Sequence, residues 1–383
     1  MPTVWSFPTR ILFGEGTVAE AGPEARRLGG RKALIVTDPG VREAGLADEV
    51  SRALEKAGVL SAIFDAIGTN PTEAEAHAAA KAFTEAKADI VVGVGGGAPI
   101  DVAKLVRLAC THSLPLAEYD DAIGGDAKIT QPMPPMIAIP TTAGTGSEVG
   151  RSAVVTIAET NRKTVIFSPR LIANVAILDP ILTVSLPPRL TAATGFDALT
   201  HNVEAYCAKG DHPMADAIAL EGIELIANHL PVAFEDGKKL EARGAMLKAS
   251  MMGAVAFQKG LGACHALAHP LGAELGLHHG LANALCLPAV LDFNRTAVTM
   301  RIARIARIMG VKGKDVETLA FECSGRVRSL RKQLGLASGL AEAGVSEEQL
   351  PELSGLAHAD STHQSNPRPC TKDDMLSLYR ASM

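Results

Sequence analysis

Over its first 180 residues the chain alternates short runs rich in β-branched residues with longer amphipathic stretches, and few architectures tolerate that alternation. The runs KALIVT (Lys32 to Thr37), SAIFDAI, DIVVGVG, PMIAIPT and VAILDP are the candidate strands. Between them, VREAGLADEVSRALEKAG and PTEAEAHAAAKAFTEAKA carry apolar residues at helical spacing with charges on the opposite face. Strand, helix and strand in succession predict parallel strands joined by crossover helices. The expected unit is α/β, a Rossmann-like parallel sheet with helices on both faces.

After Pro180 the texture changes. β-branched runs become rare and Ala/Leu-rich helical patterns continue to Tyr379, which predicts an all-α helical bundle. The boundary falls in PILTVSLPPRLT, where Pro187 and Pro188 interrupt any continuous element. The expected division is an α/β domain over 1–183 and an all-helical domain over 184–383. A length of 383 residues accommodates two cores. The absence of a long linker predicts that they pack closely around a cleft.

The formal net charge of -5, with no block of Lys or Arg, provides no field for nucleic acid or an anionic membrane surface. The start, MPTVWSFPTRILFGEG, lacks the basic and apolar regions of a secretory signal. The most apolar stretch, residues 260–291, is interrupted by histidines, prolines and a glutamate, which argues against a membrane span. Six cysteines lie scattered without C-x-x-C spacing and indicate neither a disulfide framework nor a thiolate zinc site. A reducing cytoplasm is the expected compartment.

Two loops in the first half have the composition of an anion-binding turn. In VVGVGGGAPIDVAK a glycine-rich turn joins an apolar strand to a helix start, where close backbone approach and free N–H groups suit a pyrophosphate. Gly93, Gly95 and Ala98 satisfy G-x-G-x-x-A, although in the third βα unit and not the first. The competing reading makes Gly95, Gly96 and Gly97 a tight turn and nothing more. The second loop, TTAGTGSE (Thr141 to Glu148), places hydroxyls and glycines at another strand's C-terminal end. Asp38, after KALIVT, is suited to accept from ribose hydroxyls and repel a 2′-phosphate, favouring NAD over NADP, or simply to cap a turn.

The second half concentrates metal-binding residue types. In GFDALTHNVEAY, Asp197 and His201 stand at i, i+4 and share a helix face. His265 and His269 repeat that spacing, and His279 follows ten residues later. Imidazoles in such apolar surroundings are costly to bury unless a cation or hydrogen-bond partners satisfy them. One carboxylate with three imidazoles suits Fe(II), Zn(II), Co(II) or Mn(II). Beside a nicotinamide, such a site implies hydride transfer between an alcohol and an aldehyde. His269 is the candidate for orientation or proton relay.

GGGAPIDVAK, IPTTAGTGSEV, GFDALTHNVEAY and HALAHPLGAELGLHHGLANALCLP, in this order, resemble the iron-dependent alcohol dehydrogenase family, from PTRILFGEG to NPRPCTKDD. The resemblance implies a dinucleotide-binding domain, an all-helical domain, a metal in the cleft and at least a dimer. It implies metal-ligand roles for Asp197, His201, His265 and His279, and an active-site role for His269. It implies cofactor contacts at Asp38, Gly95, Gly96, Gly97, Asp101, Thr141, Thr142, Thr145, Ser147 and Lys163. The implied cofactors are NAD, with NADP as the alternative, and Fe(II), with Zn(II) as the alternative.

Ala98 departs from the family's usual serine, and AFQKGLGACH is one residue shorter than the usual segment before His265. The shortening places Lys259 near the expected pocket. Together with Arg151, it then favours acidic semialdehydes or ω-hydroxy acids, against the alternative of a surface lysine. Two other classes share the architecture. A lyase of the dehydroquinate synthase type needs a richer set of basic residues, and a non-catalytic metal-binding relative is not excluded by fold alone. A metal-independent maleylacetate reductase would lack the full Asp-His-His-His set.

Overall fold

All five expected strand runs form strands in the computed structural model, which describes residues 7–160 and 162–383. The strands are β1 (Arg10–Phe13), β2 (Lys32–Val36), β3 (Leu60–Phe64), β4 (Ile90–Gly95), β5 (Met136–Pro140), β6 (Ser152–Ile157), β7 (Arg162–Phe167) and β8 (Val175–Leu178). Six of them make a sheet in the order β1-β8-β5-β4-β2-β3, with every pairing parallel. β6 and β7 make a separate antiparallel pair.

Helices α1 (Ala21–Arg27), α2 (Pro39–Glu43), α3 (Leu46–Lys56), α4 (Glu73–Glu85) and α5 (Gly97–Ala109) complete this unit. The sheet buries both faces because successive side chains of a strand point to opposite sides. Ala33 and Ile35 of β2 join Val50 and Leu54 of α3 in one core. Leu34 and Val36 join Phe83 of α4 and Val102 of α5 in the other. α4 starts cleanly, because Thr72 and Glu75 form a reciprocal capping box.

The strand order reverses direction at β2: β3 lies on one side of it and β4 on the other. In open parallel sheets the carboxyl ends of strands at such a reversal form the ligand crevice. The glycine turn therefore belongs to the third βα unit in sequence but to the neighbour of the first in space.

The helical unit comprises α6 (Pro188–Cys207), α7 (Pro213–Glu235), α8 (Leu240–Ala256), α9 (Ala263–Leu275), α10 (His279–Asn294), α11 (Thr299–Ile308), α12 (Val316–Gln333), α13 (Leu350–Ala359) and α14 (Lys372–Ala381). α6 begins at Pro188, whose fixed φ suits a first helical residue, and is buried along almost its whole length. α7 is long and apolar enough to cross a bilayer, yet it packs against α6 and α8 within the bundle. The chain changes unit between Ser185 and Leu186. Ala143–Thr145, read from sequence as part of the first domain, groups with the helical unit.

Candidate metal centre and dinucleotide turns

Asp197 lies in the middle of α6, His265 in the first turn of α9 and His279 at the start of α10. Their donor atoms all lie within 4.8 Å of one another. Nε2 of His279 is 3.4 Å and Nε2 of His265 is 3.9 Å from Asp197 Oδ1. The His201 ring, one turn after Asp197, stacks on His265 with centroids 4.6 Å apart, outside that tightest set. Its Nδ1 is buried with no hydrogen-bond partner among the described residues.

Burial and the neighbouring charges together set the protonation of this cluster. Burial pushes His201 down to about 4, against the pull of Asp197, and lowers His279 well below the ordinary range. Burial opposes charge on His265 as well, but the Glu204 carboxylate bonded to its Nδ1 outweighs it and raises the pKa. Burial also opposes ionisation of Asp197, which the surrounding imidazoles and Asn283 overcome. His201 and His279 are thus held neutral beside an ionised Asp197, the donor forms a divalent cation requires, whereas His265 must release any added proton to bind one. A stranded buried nitrogen on His201 is equally consistent with a site built for an ion.

Three polar groups absent from the sequence expectations border the cluster. Asn283, one turn after His279, donates from Nδ2 to Asp197 Oδ1 at 2.8 Å and lies 3.2 Å from His279 Nε2. Glu204 lies 2.6 Å from His265. Asp360 Oδ2 is 2.7 Å from His269 Nδ1, while Oδ1 accepts from Thr362 N at 2.8 Å. Although burial opposes it, His269 and Thr362 hold Asp360 well below the usual carboxylate range. The ring of His269 stacks on that of His279 with centroids 5.4 Å apart and remains partly exposed.

At the dinucleotide turns, Thr141 N donates to Gly95 O at 2.9 Å, which joins the ends of β4 and β5. Gly95 adopts φ +146°, a region that side chains rarely enter, and a methyl group on it would meet Pro99 Cγ at 2.7 Å and Asp38 Oδ2 at 3.2 Å. Asp38 therefore does two things. Oδ1 caps α2 by accepting from Val41 N at 2.9 Å, and Oδ2 faces the Gly95 turn. Gly96 and Gly97 open α5, and Thr142 Oγ1 flanks Gly96.

Other expected cofactor contacts have internal partners. Asp101 accepts from Ser147 Oγ at 2.5 Å and from Val154 N at 3.0 Å, so these groups tie α5 to the loop after β5 and to β6. Thr145 lies in the Ala143–Thr145 segment that groups with the helical unit. Lys163 on β7 is lowered by burial and pairs with no carboxylate among the described residues.

The two cations expected at an acidic substrate divide. Lys259 is buried, donating to Asp216 and to Tyr206 O at 2.9 Å. This is not a surface lysine: the first turn of α7 brings Asp216 to the ammonium, which is thus paired internally. Arg151 stays half-buried, its guanidinium 5.3 Å from the centre of the Phe167 ring.

Residues 8–180 match the family model described as iron-containing alcohol dehydrogenase, and residues 191–383 match the Fe-containing alcohol dehydrogenase family C-terminal model. The chain belongs to the iron-containing alcohol dehydrogenase family. It is 41% identical to 4-hydroxybutyrate dehydrogenase from Cupriavidus necator, covering 98% of each chain. It is 37% identical to NAD-dependent methanol dehydrogenase from Bacillus methanolicus over the whole of both. Its fold superimposes on the crystal structure of a 1,3-propanediol oxidoreductase with a TM-score of 0.96 at 38% identity, covering 100% of each. As an iron-containing alcohol dehydrogenase it is an oxidoreductase that interconverts an alcohol and an aldehyde, and membership implies a nicotinamide cofactor and iron.

Proposed function

We propose that the protein is a cytoplasmic, at least dimeric enzyme that uses Fe(II) and NAD(H) to interconvert small primary alcohols, ω-hydroxy acids among them, with their aldehydes. The observation that carries this reading is the convergence of Asp197, His265 and His279 within 4.8 Å, with His201 stacked beside them. Asp197, His201, His265 and His279 would hold the metal. Bound there, Fe(II) supplies Lewis acidity for the substrate oxygen, and the nicotinamide supplies or accepts the hydride.

The protein's own groups supply the rest. His269, with Nδ1 on Asp360, keeps Nε2 for proton exchange with the alcohol oxygen. Gly95, Gly96 and Gly97 leave backbone N–H groups at the start of α5 for a pyrophosphate, with Thr141 and Thr142 beside the turn and Thr145 three residues further along that loop. Asp38 Oδ2 at this turn favours ribose hydroxyls over a 2′-phosphate, which supports NAD. The NAD-dependent relative is in keeping with that choice. Arg151 is the remaining cation for an acidic substrate, a class named by the 4-hydroxybutyrate relative. The free cysteines accord with a reducing compartment.

The test is oxidation of NADH and NADPH against propanal and succinic semialdehyde by metal-free protein reconstituted anaerobically with Fe(II) or Zn(II). Metal-dependent turnover with NADH supports the reading. Preference for NADPH, unchanged in Asp38→Gly, contradicts the role of Asp38, and metal-independent turnover contradicts the proposed centre.

A further inference from the structure

Glu204 follows His201 by three residues and Asp197 by seven, which places all three toward one side of α6. Glu204 is itself 4% exposed. Its Oε2 lies 2.6 Å from His265 Nδ1, and its Oε1 accepts from Cys264 N at 2.6 Å. Both oxygens thus reach the first turn of α9, across 60 residues of sequence. Space for them is kept by Gly262, where a methyl group would lie 2.7 Å from Oε1.

A carboxylate only accepts hydrogen bonds, so the ring hydrogen of His265 sits on Nδ1. The lone pair is then left on Nε2, the nitrogen 3.9 Å from Asp197 Oδ1. Capping the amide end of α9 needs one oxygen alone. The second oxygen meets the backbone only at 3.4 Å, at His265 N, and its short bond is to the ring of a residue assigned to the metal. We propose that Glu204 is a positioning residue that holds His265 in the tautomer and orientation required for metal binding. Carboxylate partners on the far nitrogen of a ligating histidine act this way in metal sites generally. The inference rests on the assignment of a metal to Asp197, His265 and His279.

Glu204→Gln tests it with little change of shape. The amide oxygen still accepts from Cys264 N, but the NH₂ group then faces Nδ1 and drives the ring hydrogen to Nε2, against the ion. The full chain is expected to bind Co(II), in competition with a chelator, about 10- to 100-fold more weakly than the unaltered protein. Far-UV circular dichroism should be unchanged. Tautomers are read directly in the metal-free proteins by ¹⁵N-histidine NMR, with Nδ1–H expected at His265 in the unaltered chain and Nε2–H in the variant.

Equal Co(II) affinity in a folded Glu204→Gln protein overturns the proposal. So does Nε2–H at His265 in the unaltered chain, even if the variant fails to fold. His265→Ala and Asp197→Ala separate the two layers of the argument. If both still bind Co(II) with full affinity, the metal assignment itself has failed. If both lose it while Glu204→Gln does not, only the role of Glu204 has failed.

Discussion

Lys104 Nζ lies 2.7 Å from Ser147 Oγ, and that bond ties the helix after the glycine turn to the hydroxyl-rich loop after β5. The ammonium also donates to Ser152 O at 2.6 Å, with Asp101 Oδ1 at 3.5 Å, and its side chain is wholly buried. Burial lowers its pKa, with Asp101 resisting. Removing one member of a buried charged network leaves the others unsatisfied. Lys104→Met is therefore expected to cost about 3 kcal/mol in urea unfolding. It should raise KM for NADH more than it changes kcat, because the two loops lose their common anchor.

Glu148 gives the stability of the same region a pH dependence. Its buried Oε1 has no hydrogen-bond partner among the described residues, and burial pushes the carboxyl up to about 7 from 4.5, partly offset by a backbone amide and Lys104. Between these values the folded protein retains a proton that the unfolded chain has released. Stability therefore falls as pH rises from 4.5 to about 7, and the penalty is constant above. Glu148→Gln removes this step. Urea unfolding at pH 8 should show the variant more stable by on the order of 2–3 kcal/mol, with little difference at pH 4.5.

The pairing of His269 with Asp360 predicts a graded loss of activity. His269→Ala should reduce kcat by about 100-fold or more without loss of bound metal, the scale of a positioned acid or base. Asp360→Asn retains a group beside Nδ1 but not its charge, and a loss of about 10-fold is expected. Metal content by elemental analysis and kcat on the same preparations decide the matter. Loss of metal in His269→Ala would show the residue to be a ligand.

Lys259 predicts a negative result. With its ammonium on Asp216 and Tyr206 O, Lys259→Ala should leave the ratio of kcat/KM for succinic semialdehyde and propanal unchanged. The cost should appear as stability instead. Asp216 keeps Arg301 at 2.8 Å but loses a buried partner, for about 1–3 kcal/mol measured by urea unfolding.

The sequence displays what depends on neighbours along the chain. The runs that became β2, β4, β5 and β8 are continuous apolar strands of a sheet covered on both faces, and helical spacing placed Asp197 with His201. The β6–β7 pair went unread because SAVVTI and RKTVIF lie outside the parallel sheet and mix buried with part-exposed residues, attached through Val154 N to Asp101. The partners of the histidines were hidden for a different reason. Glu204 and Asp360 are 61 and 91 residues from His265 and His269, and only packing brings them together. Asn283 left a visible trace, a lone amide within the apolar run LANALCLP one turn after His279. The partner of Lys259 was hidden as well, because loop length along one segment says nothing of the helix that supplies Asp216.

The edge pairing of β1 with β8 sets an order of events during synthesis. Arg10–Phe13 precede the other described strands of the sheet in the chain, yet among the described residues their sheet partners are Val175–Leu178. The four inner and far-edge strands β2 to β5 have their partners at hand much earlier. Of the described strands in this sheet, the first in chain order is thus among the last to be paired. Until then its Ile11 and Leu12 are exposed apolar residues, the kind of segment that chaperones cover in a nascent chain.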